Sequence, residues 1–309
     1  MTKDLSTRRI LDAVETALAL VQDYAGADLT NLPKEPIPSL LEQCNHLIAE
    51  TRPEPLRLLH HFACTGGTLI AKCLAALPNT LLLSEIDPLS TMLFDPERPK
   101  FAPTDLVLNT RHSSHGEDEA LLIEIFLGGL AALRAGAQLR GRHLVLRDHA
   151  HSQYCTSRDP ASRPTLREIM PPDLALLSVV TLRHPVDSYL SLRANGWHGG
   201  MNPATIDEYA RRYIAFLDRH SGLPWLRYED FIADPQARLA DLCRWLDLPY
   251  SADAVDLLPI IRLSGDSGRS GHVLAARPRR KVPEDIAEGI SKSADLRDLC
   301  DLMGYDRDL

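Results

Sequence analysis

A chain of 309 residues, 44% hydrophobic and 25% charged, is long enough to bury one large core or one α/β domain with helical additions. Its formal net charge of −8 argues against a general nucleic-acid binder, so any polyanion has to be met by a local basic patch. The six cysteines form no CxxC pair and fit a reducing, cytoplasmic setting; the charged N-terminus is no signal peptide, and no apolar run is expected to reach the roughly 20 residues that span a bilayer.

Ile10, Leu11, Val14, Leu18 and Val21 recur at helical spacing and predict an amphipathic helix over about 6–23. A Gly/Pro-rich linker follows at 25–39 and a second helix at 40–50, so residues 1–50 read as an N-terminal helical extension. One α/β domain is expected over 51–309. Its predicted elements are strand 56–62, helix 68–77, strand 80–84, helix 118–135, strand 143–147 and strand 175–182. Helices 187–194 and 204–220, strand 225–228 and helix 235–246 complete the set. Such alternation implies a central, mostly parallel sheet flanked by helices, with ligands at the carboxyl ends of the strands. Segments 94–104 and 155–173 read as long functional loops.

Two strand-to-helix turns carry the strongest chemical signals. In HHFACTGGTLIAKC, Thr65, Gly66, Gly67 and Thr68 can offer backbone N–H groups and hydroxyls to a phosphate at a helix N-terminus. This is not a Walker A loop, because no Gly-Lys-Ser/Thr follows the glycines and Lys72 lies a helical turn too far along. In TLRHPVDSYLS, Arg183 ends a strand and Ser191 stands on the following helix, a forked cation with a hydroxyl beside it. Two anion sites of this kind point to a nucleotide with phosphates at both ends of its ribose.

These motifs resemble those of the sulfotransferase superfamily, which uses 3′-phosphoadenosine 5′-phosphosulfate (PAPS), and the likeness covers roughly residues 55–282. It implies a P-loop-like sulfotransferase fold. It implies further that Thr65–Thr68 form the 5′-phosphosulfate loop and that Arg183 and Ser191 bind the 3′-phosphate. Cys64 stands where that family usually carries Arg or Lys, so Lys72, Arg147 or a C-terminal arginine has to supply the missing cation. RYEDF is similar to the family's turn after the last strand and would set Tyr228 near the nucleotide. The acid-free basic stretch 267–283 resembles its C-terminal loop, with Arg269 and Arg279 as the phosphate ligands.

Sulfuryl transfer needs a base for the acceptor proton and cations for the departing phosphate. The spacing of Glu85 from the glycine turn matches the base of the tyrosylprotein branch. Arg147 and His149 stand where the small-molecule branch carries a lysine and a histidine base. Both bases stay open here, Glu85 being preferred on spacing, with His149 and its neighbour Asp148 second. No metal-ligand spacing accompanies the histidines, and no catalytic metal is expected. The acceptor is expected to be a small molecule with a carbohydrate, phenolic or lipid hydroxyl or an amine, with no nucleic acid as partner and the oligomeric state open. A P-loop kinase, or a member of the fold that binds nucleotide without turnover, is the alternative.

Overall fold

The computed structural model describes Glu15, Thr16, Leu18, Ala19, Ser39 and Leu274 together with residues 54–92, 94–113, 118–264 and 278–306. The chain divides into two units, Met1–Arg52 and Pro53–Leu309. In the first, Glu15, Thr16, Leu18 and Ala19 are helical, and the remainder of the helices expected at 6–23 and 40–50 lies outside the described residues.

The second unit is built on five strands, β1 (Leu56–His61), β2 (Thr80–Ile86), β3 (His143–Asp148), β4 (Leu176–Leu182) and β5 (Trp225–Arg227). They lie in the order β2-β3-β1-β4-β5, and every pairing is parallel. The α/β expectation therefore holds, with a wholly parallel sheet. β1 is central and buried along its whole length, which is why LRLLHH carries no exposed polar alternation. Its one arginine, Arg57, is satisfied at the sheet's opposite end by Glu54 and the carbonyls of Leu246 and Asp247.

The crossovers are helical. α1 (Gly67–Ala75) joins β1 to β2, and α2 (Leu106–Arg111) and α3 (Glu119–Gln138) join β2 to β3. The short α4 (His151–Tyr154) follows β3. β4 runs into α5 (Pro185–Ala194) and α6 (Ile206–Arg219); β5 runs into α7 (Tyr228–Ala233) and α8 (Pro235–Trp245). Two further helices, α9 (Glu284–Lys292) and α10 (Ala294–Met303), were not predicted. Their apolar residues are spaced among many charges, yet Ile286, Ile290, Leu296, Leu299 and Met303 form one buried face with Ile206 and Tyr213 of α6. Side-chain caps at Asp105, Asp118, Thr205, Asp234 and Ser293 mark where helices begin.

Strand alternation divides the core. Leu56 and Leu58 join Leu144, Leu146 and Leu130 of α3 on one face. Leu59, Val145 and Val179 join Ile70 and Leu74 of α1 and Leu239 and Leu242 of α8 on the other. One expectation needs correction. α3 is 20 residues long and contains an 18-residue stretch of mean hydropathy 1.7, enough by length and composition to cross a membrane. The sequence reading missed it because Glu119 and Glu124 break the run near its start. In the fold α3 is the crossover before β3, and it buries Leu122, Leu130 and Ala137.

Candidate active site

The carboxyl ends of β1, β2, β3 and β4 converge on the glycine turn. The turn is tight: Cys64 has φ +62 and Gly66 φ +88. Gly66 and Gly67 open α1, where the first N–H groups have no acceptor within the helix and attract anions. Both glycines are demanded by close neighbours. A Cβ on Gly66 would stand 2.2 Å from Cδ2 of Tyr228, and one on Gly67 2.4 Å from Cγ of His61. Gly66→Ala is therefore expected to cost roughly 1–3 kcal/mol through overpacking at a left-handed position. Urea unfolding checks this, and an unchanged midpoint would show that the Tyr228 ring yields freely. Thr65 differs from expectation. It is fully buried, and its hydroxyl and its backbone N–H both donate back to the Phe62 carbonyl, at 2.8 and 3.4 Å.

Arg147 is the hub of the site. Nη2 donates to Thr68 Oγ1 at 2.8 Å, Nη1 to Ser84 Oγ at 2.8 Å, and Nε to His61 Nε2 at 3.0 Å. Nη1 also pairs with Glu85 Oε1 at 2.5 Å. The guanidinium thus lies at the start of α1, against the turn that lacks its own basic residue. His61 can accept this bond because burial, and then the charge of Arg147, lower its pKa to about 3 and keep the ring neutral. Its Nδ1 lies 3.1 Å from the Phe62 carbonyl and carries the proton.

Glu85 stands just inside the end of β2 with φ +63. Its second oxygen, Oε2, lies 2.9 Å from His149 Nε2. Burial pushes the carboxyl up, but the His149 hydrogen bond and the charge of Arg147 outweigh it and hold Glu85 at about 2. Glu85 is thus a carboxylate clamped between a guanidinium and an imidazole. Beyond it, the His151 ring lies 6.0 Å from that of His149 and 5.4 Å from Trp197, which is partly exposed. Burial, then the charge of His149, lower His151 to about 4. Asp148 does not join its neighbours: alternation along β3 turns it to the opposite face, where it meets His60 at 2.8 Å.

Arg183 makes the second station. Nη1 donates to the Cys64 carbonyl at 3.2 Å and to Ser191 Oγ at 3.3 Å, and the guanidinium carbon sits 4.9 Å from the Tyr228 ring centre. The same ring walls Gly66, so Tyr228 lies between the two motifs. Arg279 reaches this station through Asp187, one turn before Ser191, with Nε 3.0 Å from Oδ1. Arg269 lies outside the described residues. Cys64 remains a neutral thiol: burial pushes it up to about 11, against the pull of Arg183, Asn195 and Arg280.

No family model matches the chain, and no curated protein matches it. Solved structures do. The sulfotransferase domain from the Synechococcus PCC 7002 olefin synthase aligns at TM-score 0.53 and 18% identity, covering 83% of this chain and 97% of that domain. The sulfotransferase domain from the curacin biosynthetic pathway aligns at TM-score 0.50 and 16% identity, covering 83% of this chain and 99% of that domain. The chain has the sulfotransferase fold. Within that fold, Gly66, Gly67, Thr68, Arg183, Ser191, Tyr228, Arg147, Glu85 and His149 come together at one end of the sheet. The sequence reading missed Ser84 and His61, which hold Arg147, and Asp187, which holds Arg279. His61 had a signal: of two successive histidines at a strand end, one must face each side.

Proposed function

We infer that the protein is a sulfotransferase that moves a sulfuryl group from PAPS to a hydroxyl or amine of a small acceptor, releasing 3′-phosphoadenosine 5′-phosphate (PAP). One observation carries this reading: the glycine turn has a separate arginine station on each side, Arg147 at Thr68 and Arg183 at the Cys64 carbonyl. That spacing of cations suits a nucleotide charged at both its 5′ and 3′ positions better than a linear triphosphate.

The residues fit the nucleotide in distinct roles. The N–H groups opening α1 hold the 5′-phosphate, in the cradle that a Cβ on Gly66 or Gly67 would fill. Arg183 and Ser191 take the 3′-phosphate, Tyr228 carries Arg183 on its ring face, and Arg279 stands close behind. Arg147 replaces the cation missing at Cys64. PAPS, when bound, supplies an electrophilic sulfur and a phosphate leaving group. His149 is the better base of the two: Glu85, held at about 2, is too weak an acceptor of protons near neutrality. Glu85 instead fixes the proton on His149 Nε2, leaving Nδ1 to take the acceptor's proton. His151 and Trp197 form an aromatic wall next to it, suited to a sugar face, a phenol or a lipid chain.

Calorimetric titration with PAP, against ADP and ATP–magnesium, tests the donor site. Expected is tight binding that requires the 3′-phosphate and weakens at least a hundredfold in Arg183→Ala. A preference for ATP–magnesium would instead make the protein a kinase. Tight PAP binding without PAP release from PAPS, across a panel of alcohols, phenols, sugars and amines, would make it a non-catalytic binder.

A further inference from the structure

The face of the sheet opposite Arg147 holds a buried group of ligand-type side chains with no place in the chemistry above. His60 on β1, Asp148 on β3 and His220 at the end of α6 are each more than nine-tenths buried. One donor atom from each lies within 4.8 Å of the others. Their placement follows from alternation: His60 and Asp148 adjoin His61 and Arg147 in sequence and so point away from them. His60 Nδ1 lies 2.8 Å from Asp148 Oδ2, and the His60 and His220 ring centres are 4.3 Å apart.

The protonation of this group is legible. His220 Nδ1 lies 2.7 Å from the Phe216 carbonyl, so Nδ1 carries the proton and Nε2 the lone pair. That Nε2 is buried without a hydrogen-bond partner, and so is Nε2 of His60. A buried polar atom left unsatisfied costs about 1–3 kcal/mol, and two in one cluster call for a shared partner. Full burial disfavours a charged imidazolium at either ring, so each keeps a lone pair for a ligand. An imidazole whose other nitrogen is tied to a carbonyl or carboxylate is the ordinary form of a histidine metal ligand.

We propose that His60, Asp148 and His220 bind one zinc-class transition-metal ion, which clamps β1, β3 and the end of α6 beneath the active site. Two imidazoles and a carboxylate suit zinc and its first-row neighbours; calcium and magnesium favour all-oxygen sets. Zinc bonds of about 2.0–2.2 Å place tetrahedral ligands on the order of 3.4 Å apart, so the ion draws these side chains inward by little more than an ångström. Arg167 opposes any cation here. The ionised Asp148 offsets it, and metal uptake displaces the proton that burial otherwise favours on that carboxyl. The role is structural, because the group is closed off from the acceptor side. It rests on these residues alone and not on the proposed transfer reaction.

The test uses the full chain, stripped with chelator, loaded with zinc sulfate and desalted. Expected is one zinc per chain, with an absorption-edge spectrum fitted by two imidazoles and oxygen donors. Cobalt loading should give the visible bands of a four-coordinate site. His220→Gln and Asp148→Asn should each lose at least a hundredfold in zinc affinity, whereas His198→Gln should lose none. Zinc removed by desalting, or stoichiometric zinc indifferent to both variants, overturns the site. If neither variant folds, the wild-type spectra decide: oxygen-only or one-imidazole coordination rejects the proposal, and two imidazoles uphold it.

Discussion

Arg147→Ala is expected to lower the rate of PAP release from PAPS by about 10³-fold, while affinity for PAP falls no more than tenfold. The size follows from its position: removing one preorganised donor at a site of developing charge costs about 10²–10³ in rate. Here the same guanidinium also anchors Thr68 and Glu85, so more than one contact fails. PAP affinity persists because Arg183, Ser191 and Tyr228 form a separate station. Arg147→Lys should recover little, since one ammonium cannot span Thr68, Ser84, His61 and Glu85 as the planar fork does. Stability should fall as well, by about 3–5 kcal/mol, because the loss strands a largely buried Glu85 carboxylate. Turnover of Arg147→Ala within tenfold of wild type would remove Arg147 from the chemistry.

The second large effect separates His149 from Glu85. His149→Ala is expected to lose about 10³-fold in turnover with PAP affinity unchanged, within the 10²–10⁴ range of general-base loss. Glu85→Gln should lose less at its pH optimum, about tenfold to a hundredfold, since the amide can still accept from His149 Nε2 but no longer neutralises Arg147. The two also differ in acid. Glu85 has a folded pKa of about 2 against its ordinary 4.5, so its stabilisation is fully present above pH 4.5 and is lost as pH falls toward 2. At 1.36 kcal/mol per pKa unit this is of the order of 3 kcal/mol. The melting temperature of the wild type should therefore fall more steeply between pH 5 and pH 2.5 than that of Glu85→Gln. Parallel curves would contradict the clamped carboxylate. A Glu85→Gln defect as deep as that of His149→Ala would restore Glu85 as the base.

Much of this site was legible beforehand, for a local reason. Arg183 and Ser191 lie on one strand end and the helix that follows, and Gly66 to Thr68 lie on another such turn, so spacing alone pairs them within each motif. Tyr228 was placed only by resemblance, and its contact with Gly66 comes from β5 packing two strands away from the turn. Spacing favoured Glu85 over His149 as the base, and the proposed roles reverse that order on contacts that spacing does not show. Glu85 and His149 are 64 residues apart, and the His149 hydrogen bond and Arg147 charge that depress Glu85 exist only because β2 and β3 are neighbours. The same limit hid α9 and α10, whose apolar faces have meaning only against α6.

The sequence by itself determined the parallel α/β class and marked two strand-to-helix turns as candidate anion sites, while the search for a cation in place of Cys64 came from the resemblance. The first two rest on periodicity, on glycine's access to positive φ and on residue charge, all local properties. Only the tertiary structure decided that Arg147 lies against Thr68 at the glycine turn, that Glu85 sits between Arg147 and His149, and that Asp148 turns from them to His60. Each of those depends on strand order and on burial, through which a neighbour distant in sequence sets the charge and the proton of a side chain.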